Sequence, residues 1–252
     1  MGKNTVKSVV KAMNVFEELV NRGKPVTLSL LSKSLGLNIS TVHRLLNTLL
    51  ELGYVEQNED GLYKLGLRSY KLADLIYRDF DLRKLIHPYL EEIVDTCNET
   101  TNFVIMEDFQ VVYIDQVEST NMVRMFAGQG SHGPAYCTGS GKALLANLEP
   151  DKRQQYLKEA ELTAYTENTI TDTEQLRQEL ARIREQGYAL DLEEMEKGVR
   201  CVAAPIFGEE GDLQGAISVS GPCTRITREY LGKTLIPLIR DKTEEISGRL
   251  QS

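Results

Sequence analysis

The residues with the most chemical potential lie late in the chain. From Asp191 to Phe207 the sequence runs DLEEMEKGVRCVAAPIF, setting three carboxylates, Asp191, Glu193 and Glu194, shortly before Arg200 and Cys201. Two chemistries fit such a set. One is hydrolase-like catalysis, with Cys201 or Cys137 as nucleophile, His132 as base and Asp191 or Glu194 as orienting group. The other is a pocket wall that binds a molecule and transforms nothing. Neither cysteine sits in a motif with a mechanical reason for nucleophilicity, His43 lies far upstream, and His87 precedes Pro88, where a structural role is expected. We therefore expect no enzyme. The four cysteines, Cys97, Cys137, Cys201 and Cys223, are widely scattered, which predicts reduced thiols. No CxxC or HxxxH pair occurs, so neither a metal site nor a cofactor is expected.

The elements that must position these residues belong to a chain of 252 residues with 41% apolar and 26% charged residues, an ordinary globular balance. Its longest apolar runs, Val199–Phe207 and Leu213–Val219, fall short of the ~20 residues that span a bilayer. The N-terminus interleaves acids with apolar residues, unlike a secretory signal, so a cytoplasmic protein is expected. The net charge of −8 argues against non-specific coating of nucleic acid, but the charge is uneven. Up to Gly66 eight basic and six acidic residues give +2, leaving −10 for the rest. A mildly basic head on an acidic body suits an anion-contacting module joined to a separate domain.

In the head, Val6, Val9, Val10, Met13, Phe16 and Val20 recur at helical spacing up to Asn21-Arg22-Gly23. Two further helices flank the break at Gly36–Asn38, with Thr27 or Ser29 capping the first and Asn38 or Ser40 the second. On the second, Val42, Leu45, Leu46 and Leu49 share one side. Ser40, Arg44, Asn47 and Glu51 share the other, flanked by Thr41, His43 and Thr48. Short hydrogen-bonding residues with one arginine suit a major groove better than a plain solvated face does. Two strand-like runs, Tyr54–Gln57 and Leu62–Leu65, joined by Asn58-Glu59-Asp60-Gly61, complete a winged helix-turn-helix. Candidate DNA contacts are Thr27, Ser29, Ser40, Thr41, His43, Arg44, Asn47 and Thr48, with Lys3, Lys7 and Lys64 on the phosphate backbone. A winged-helix module that binds protein is the competing reading of this head.

A largely helical connector, interrupted near Arg78–Asp81, follows, and Leu72, Leu75 and Ile76 form an apolar stripe suited to a dimer seam. His87-Pro88 is expected to mark a helix start or kink. The body offers strands NFVIMED, VVYIDQVES, Tyr188–Asp191, Val199–Phe207 and Leu213–Ser220, and helices over Asp151–Glu159, Asp172–Gln186 and Thr227–Leu250. Without regular strand–helix alternation this reads as α+β with a mostly antiparallel sheet.

Four segments, LSKSLGLNISTVHRLLNTLLELGYV, YCTGSGKALLA, DLEEMEKGVRCVAAPIF and GAISVSGPCTRIT, lie in the order and spacing of the IclR family of bacterial transcription regulators, and the chain resembles that family over nearly its whole length. The resemblance implies a winged helix-turn-helix domain over 1–66, a linker helix over 67–80 that pairs subunits, and a GAF-like effector-binding domain over 81–252. It further implies a homodimer, or a tetramer made of two dimers, on double-stranded operator DNA. A small organic-acid or sugar-acid metabolite would control it, most often as a repressor. Carried onto this sequence, the effector positions are Gly139, Ser140, Asp191, Val199, Cys201, Ser218 and Ser220. Their chemistry agrees with a small anion. Gly139-Ser140-Gly141 precedes a helical run starting at Lys142, Ser218 and Ser220 share a strand face, and so do Val199, Cys201 and Ala203. Ser140 stands where the family often has alanine, which favours a longer or more polar effector, with His132 and Tyr136 expected near the pocket mouth.

Overall fold

The computed structural model describes residues 6–72 and 81–251. They fall into two compact units, one up to residue 80 and one from residue 81.

In the first unit, α1 (Lys7–Arg22) ends at Gly23, whose φ of 60° is the left-handed cap that glycine supplies without strain. α2 (Leu28–Leu35) and α3 (Ile39–Glu51) meet at Gly36, φ 61°. Thr27 caps α2 by accepting from the Leu30 N–H at 3.3 Å. Asn38 occupies the N-cap of α3 but its side chain makes no capping bond, and Ser40 lies inside the helix, so the capping expected there is absent. Strands β1 (Val55–Gln57) and β2 (Tyr63–Leu65) pair antiparallel, and Asn58 Oδ1 closes the wing turn by accepting from the Leu62 N–H at 2.8 Å. A helix, α4, then occupies 67–72. The core joins Val15, Leu19, Leu31, Val42, Leu46, Leu49, Val55 and Tyr63.

This corrects the reading of α1. The helix carries two apolar stripes, and the one that meets α2 and α3 is Val15 and Leu19. Val6, Val9, Met13 and Val20, expected to be buried, are exposed. Among the expected dimer-seam residues Leu72 is exposed, while Leu75 and Ile76, like Lys3, lie outside the described residues.

The second unit is built on a six-stranded, wholly antiparallel sheet ordered β5-β4-β3-β8-β7-β6. Its strands are β3 (Thr100–Glu107), β4 (Gln110–Val117), β5 (His132–Pro134), β6 (Ala189–Leu192), β7 (Val199–Phe207) and β8 (Leu213–Pro222). One face carries α6 (Gly139–Asn147), α7 (Pro150–Glu159) and α8 (Thr173–Gln186), packed on Val104, Ala189, Ala203 and Ala216. Alanines and glycines on central strands let α6 lie close to the sheet.

The other face holds α5 (Asp81–Cys97) beside the closing helix, tied through Tyr89 Oη to Glu245 at 3.2 Å. Pro88 sits within α5 rather than starting it. The closing helix is not continuous from Thr227, because a π-helical turn, Leu231–Leu235, separates α9 (Arg228–Tyr230) from α10 (Ile236–Leu250). Among the described residues, no helix is long and apolar enough to cross a membrane.

The α6 contact admits no side chain at Gly141. A methyl group there would stand 2.3 Å from the Ala135 carbonyl oxygen and 2.6 Å from Thr138 Oγ1. Gly141→Ala should therefore destabilise the protein by ~3 kcal/mol, read by urea denaturation, unlike the usual gain from alanine in a helix.

Candidate functional site

Sequence pairing decides which side chains share the helix-covered face of the sheet. Asp191, Cys201, Ser220 and Thr100 form one cross-strand row, and Ala203, Ser218, Asn102 and Gln116 form the next. Val199, at the start of β7, shares that face with Cys201 and is half-buried. Six of the expected effector positions thus come together as α6 closes over the rows: Gly139, Ser140, Asp191, Cys201, Ser218 and Ser220. Helix α6 begins at Gly139, three residues earlier than its sequence suggests. Thr138 is the N-cap, with Oγ1 accepting from the Gly141 N–H at 3.1 Å and donating to the Pro134 carbonyl at 2.9 Å. Gly139 lies so close to β7 that a methyl group there would be 3.0 Å from Cys201 Sγ.

Cys201 sits at the centre of these groups. Ser220 lies directly across from it on β8, Ser218 stands one row away, the start of α6 closes over it at Gly139, and its thiol donates to the Val202 carbonyl at 3.6 Å. Burial pushes this thiol up to about 12, so it stays neutral. Cys137 is likewise pushed up to about 12 by burial, with Asp191 and Glu194 adding to it, and its Sγ lies 3.6 Å from Met195 Sδ. Burial favours the neutral form of both thiols, and His132 lies exposed on edge strand β5, an arrangement that disfavours the cysteine-hydrolase reading. All four cysteines are free thiols. Tyr136 is not at a pocket mouth; it is buried, donating its hydroxyl to the Thr163 carbonyl at 2.7 Å.

The carboxylates divide by role. Asp191 Oδ1 accepts from the Glu194 N–H at 2.7 Å, which fixes the turn between β6 and β7. Glu193, at φ 68°, accepts from Arg200 at 3.0 Å and from the Gly198 N–H at 3.1 Å. Glu194 reaches inward to Lys142, which is 1% exposed and also lies 3.7 Å from Glu179. Burial raises the Glu194 carboxyl against the pull of Lys142, and its Oε2 has no protein partner.

Three polar groups on this face carry no sequence motif. Gln116 Nε2 donates to Asn102 Oδ1 at 2.7 Å, and Asn102 Nδ2 donates to Ser218 Oγ at 3.4 Å. The Tyr113 hydroxyl is pushed up to about 12, chiefly by burial. Tyr113 and Gln116 are three apart, so strict alternation would put them on opposite faces. A slip in the β3–β4 register at Phe103–Val104 leaves Ile114 as an extra residue and turns both inward.

In the head, Thr27, Ser29, Ser40, His43, Arg44, Asn47 and Thr48 are exposed, as are Lys7 and Lys64, while Thr41 is half-buried. The Arg44 side chain has no hydrogen-bond or ion-pair partner among the described residues. Four candidates are engaged already: Thr27 caps α2 and its hydroxyl shares a hydrogen bond with that of Ser29 at 3.1 Å. Thr48 Oγ1 donates to the Arg44 carbonyl at 3.1 Å, and Lys64 pairs with Glu56 at 3.3 Å.

Burial, with Glu194 as the reinforcing charge, pushes Asp191 from 3.8 up to about 7 against the opposing Glu194 N–H. A carboxyl raised in this way favours the fold most below about pH 4, and that contribution is lost as pH climbs to about 7. Asp191→Asn keeps the oxygen that caps the turn. It should match wild type at pH 4 and exceed it by on the order of 2–4 kcal/mol at pH 8, measured by urea denaturation.

Comparison with known proteins follows both units. Residues 8–59 match the model of the IclR helix-turn-helix domain, and residues 76–248 match that of the bacterial transcriptional regulator IclR C-terminal domain. The chain is 35% identical over 249 residues to the transcriptional repressor IclR of Escherichia coli K12, covering 96% of this chain and 91% of that protein. It is 33% identical to the acetate operon repressor of Salmonella typhimurium, with the same coverages. The crystal structure of the Thermotoga maritima IclR superposes with a TM-score of 0.77 at 31% identity, covering 98% of this chain and 99% of that one.

Proposed function

This chain belongs to the IclR family of bacterial transcriptional regulators, and we propose that it is an operator-binding repressor controlled by a small carboxylate effector. The observation that carries the effector reading is the gathering of the Ser218 and Ser220 hydroxyls and the start of α6 around Cys201 on the helix-covered face of the sheet. Donors gathered without a charged acceptor favour an incoming anion, and the start of α6 adds its positive helix end. Asp191 can admit that anion by holding its proton, and Val199 walls the site beside Cys201.

We assign residues 1–66 to the DNA-binding domain, 67–80 to the linker and 81–252 to the effector domain. On α3, Ser40, Thr41, His43, Arg44, Asn47 and Thr48 face the groove, with Thr27 and Ser29 at the start of α2 near phosphates. Lys3, Lys7 and Lys64 are assigned to the DNA backbone. Self-association as a dimer or a pair of dimers is supported by the exposed apolar side chains Val6, Val9, Met13 and Val20 on α1 and Leu72 on α4. Effector binding then biases the second unit, and the linkers pass this to the paired heads. Such coupling amounts to about 1–3 kcal/mol.

The test uses DNA selected from a random-sequence pool, read by fluorescence anisotropy across salt concentrations. Arg44→Ala should cost about 1–3 kcal/mol on the selected sequence and relax its specificity. Lys7→Ala should weaken all sequences alike and lower the salt slope by about one. Unchanged affinity and sequence ranking in a folded Arg44→Ala would instead favour a protein-binding head.

A further inference from the structure

We propose that Asn102 and Gln116 select the effector, by hydrogen-bonding an oxygen that it carries away from its carboxylate. The inference rests on the effector site described above. The two amides stand in the row next to Asp191, Cys201, Ser220 and Thr100, so they flank the anion position rather than form it. Their bonding fixes their orientation. Gln116 donates to Asn102 Oδ1, which turns the Asn102 nitrogen toward Ser218.

Asn102 is 3% exposed, yet its NH2 group has one protein contact, at the long distance of 3.4 Å. A buried amide with an unused N–H costs free energy that a ligand oxygen would recover. Gln116 is half-buried, and its Oε1 has no protein partner among the described residues, which leaves an acceptor beside that donor. With Tyr113 on the same face as Asn102 and Gln116, the neighbouring end of the site is polar where a plain alkyl chain would need apolar walls. The ligand class that fits is a hydroxylated carboxylic acid, its hydroxyl accepting from Asn102 and donating to Gln116.

Calorimetric titration of the full chain with D-gluconate, hexanoate and pyruvate separates the possibilities. Wild type should prefer gluconate over hexanoate by about tenfold. Asn102→Leu should erase that preference by weakening gluconate about tenfold while leaving pyruvate unchanged. Gln116→Met, at a half-exposed position, carries the same expectation if Asn102→Leu lowers the melting temperature. Equal binding of gluconate and hexanoate by wild type, or a preference that survives in the folded variants, would overturn the inference. Ser220→Ala reads the anion site separately and should weaken all three acids. If Ser220→Ala changes none of them, or if wild type binds none, the effector reading itself falls and the inference with it.

Discussion

The second unit depends on one close approach, that of the α6 N-terminus to β7. Gly139 brings backbone against Cys201, where a methyl group would be tightly crowded, and Gly141 brings it against Ala135, where there is no room for one. Glycine at these positions weakens the helix by roughly 1 kcal/mol each, so its presence reflects packing that outweighs helix propensity. The approach closes the start of α6 over Cys201 and sends Lys142 into the interior, where a lone ammonium would be prohibitively costly. Glu194 answers it, and Asp191 positions Glu194 by capping its backbone. The acidic stretch and the glycine turn, over forty residues apart in sequence, are therefore halves of one arrangement.

The same sheet also connects this face with its opposite. The extra residue at Ile114 puts Gln116 on the helix-covered face, and the next residue back, Asp115, points the other way. Asp115 is fully buried and accepts from Arg83 at 3.0 Å, meets His87 Nδ1 at 2.7 Å and accepts from Gln129 at 3.2 Å. Arg83 and His87 lie in the first two turns of α5, the element that follows residues 67–80. Gln116 on the helix-covered face and Asp115 on the other are thus one residue apart, and the buried Asp115 ties β4 to the start of α5.

What was legible in the sequence was what local periodicity and turn chemistry encode. Helix spacing placed α2 and α3, Asn58–Gly61 placed the wing, and β7 ran over the residues its apolar pattern marked. What was hidden depends on tertiary choice. Gly-Ser-Gly reads as a turn because glycine is a poor helix former, yet Thr138 caps it and packing holds it in α6. Helix α1 offers two apolar stripes, and which one is buried depends on the position of α2 and α3. Gln116 and Tyr113 could not be placed together because an unmarked bulge on β4 sets their facing, and Asn102 joins them only through strand pairing that residue spacing does not reveal. The π-helical turn before α10 leaves the apolar pattern almost unbroken and was equally invisible.

The charge balance explains why the site can be selective within so acidic a body. A compact anion approaching a region with a net charge of −10 is repelled at long range, so affinity must come from short-range, desolvated contacts. The proposed site would have to meet that demand without Lys142 or Arg200, since Lys142 is committed to Glu194 and Arg200 to Glu193. Its attraction comes from amide and hydroxyl donors, whose strength depends on angle and distance far more than a point charge does. A site built this way binds an ill-fitting acid weakly, because a donor left unmatched in the buried interior costs more than it would in water. On the proposed function, discrimination among acids would then follow from geometry rather than from net charge.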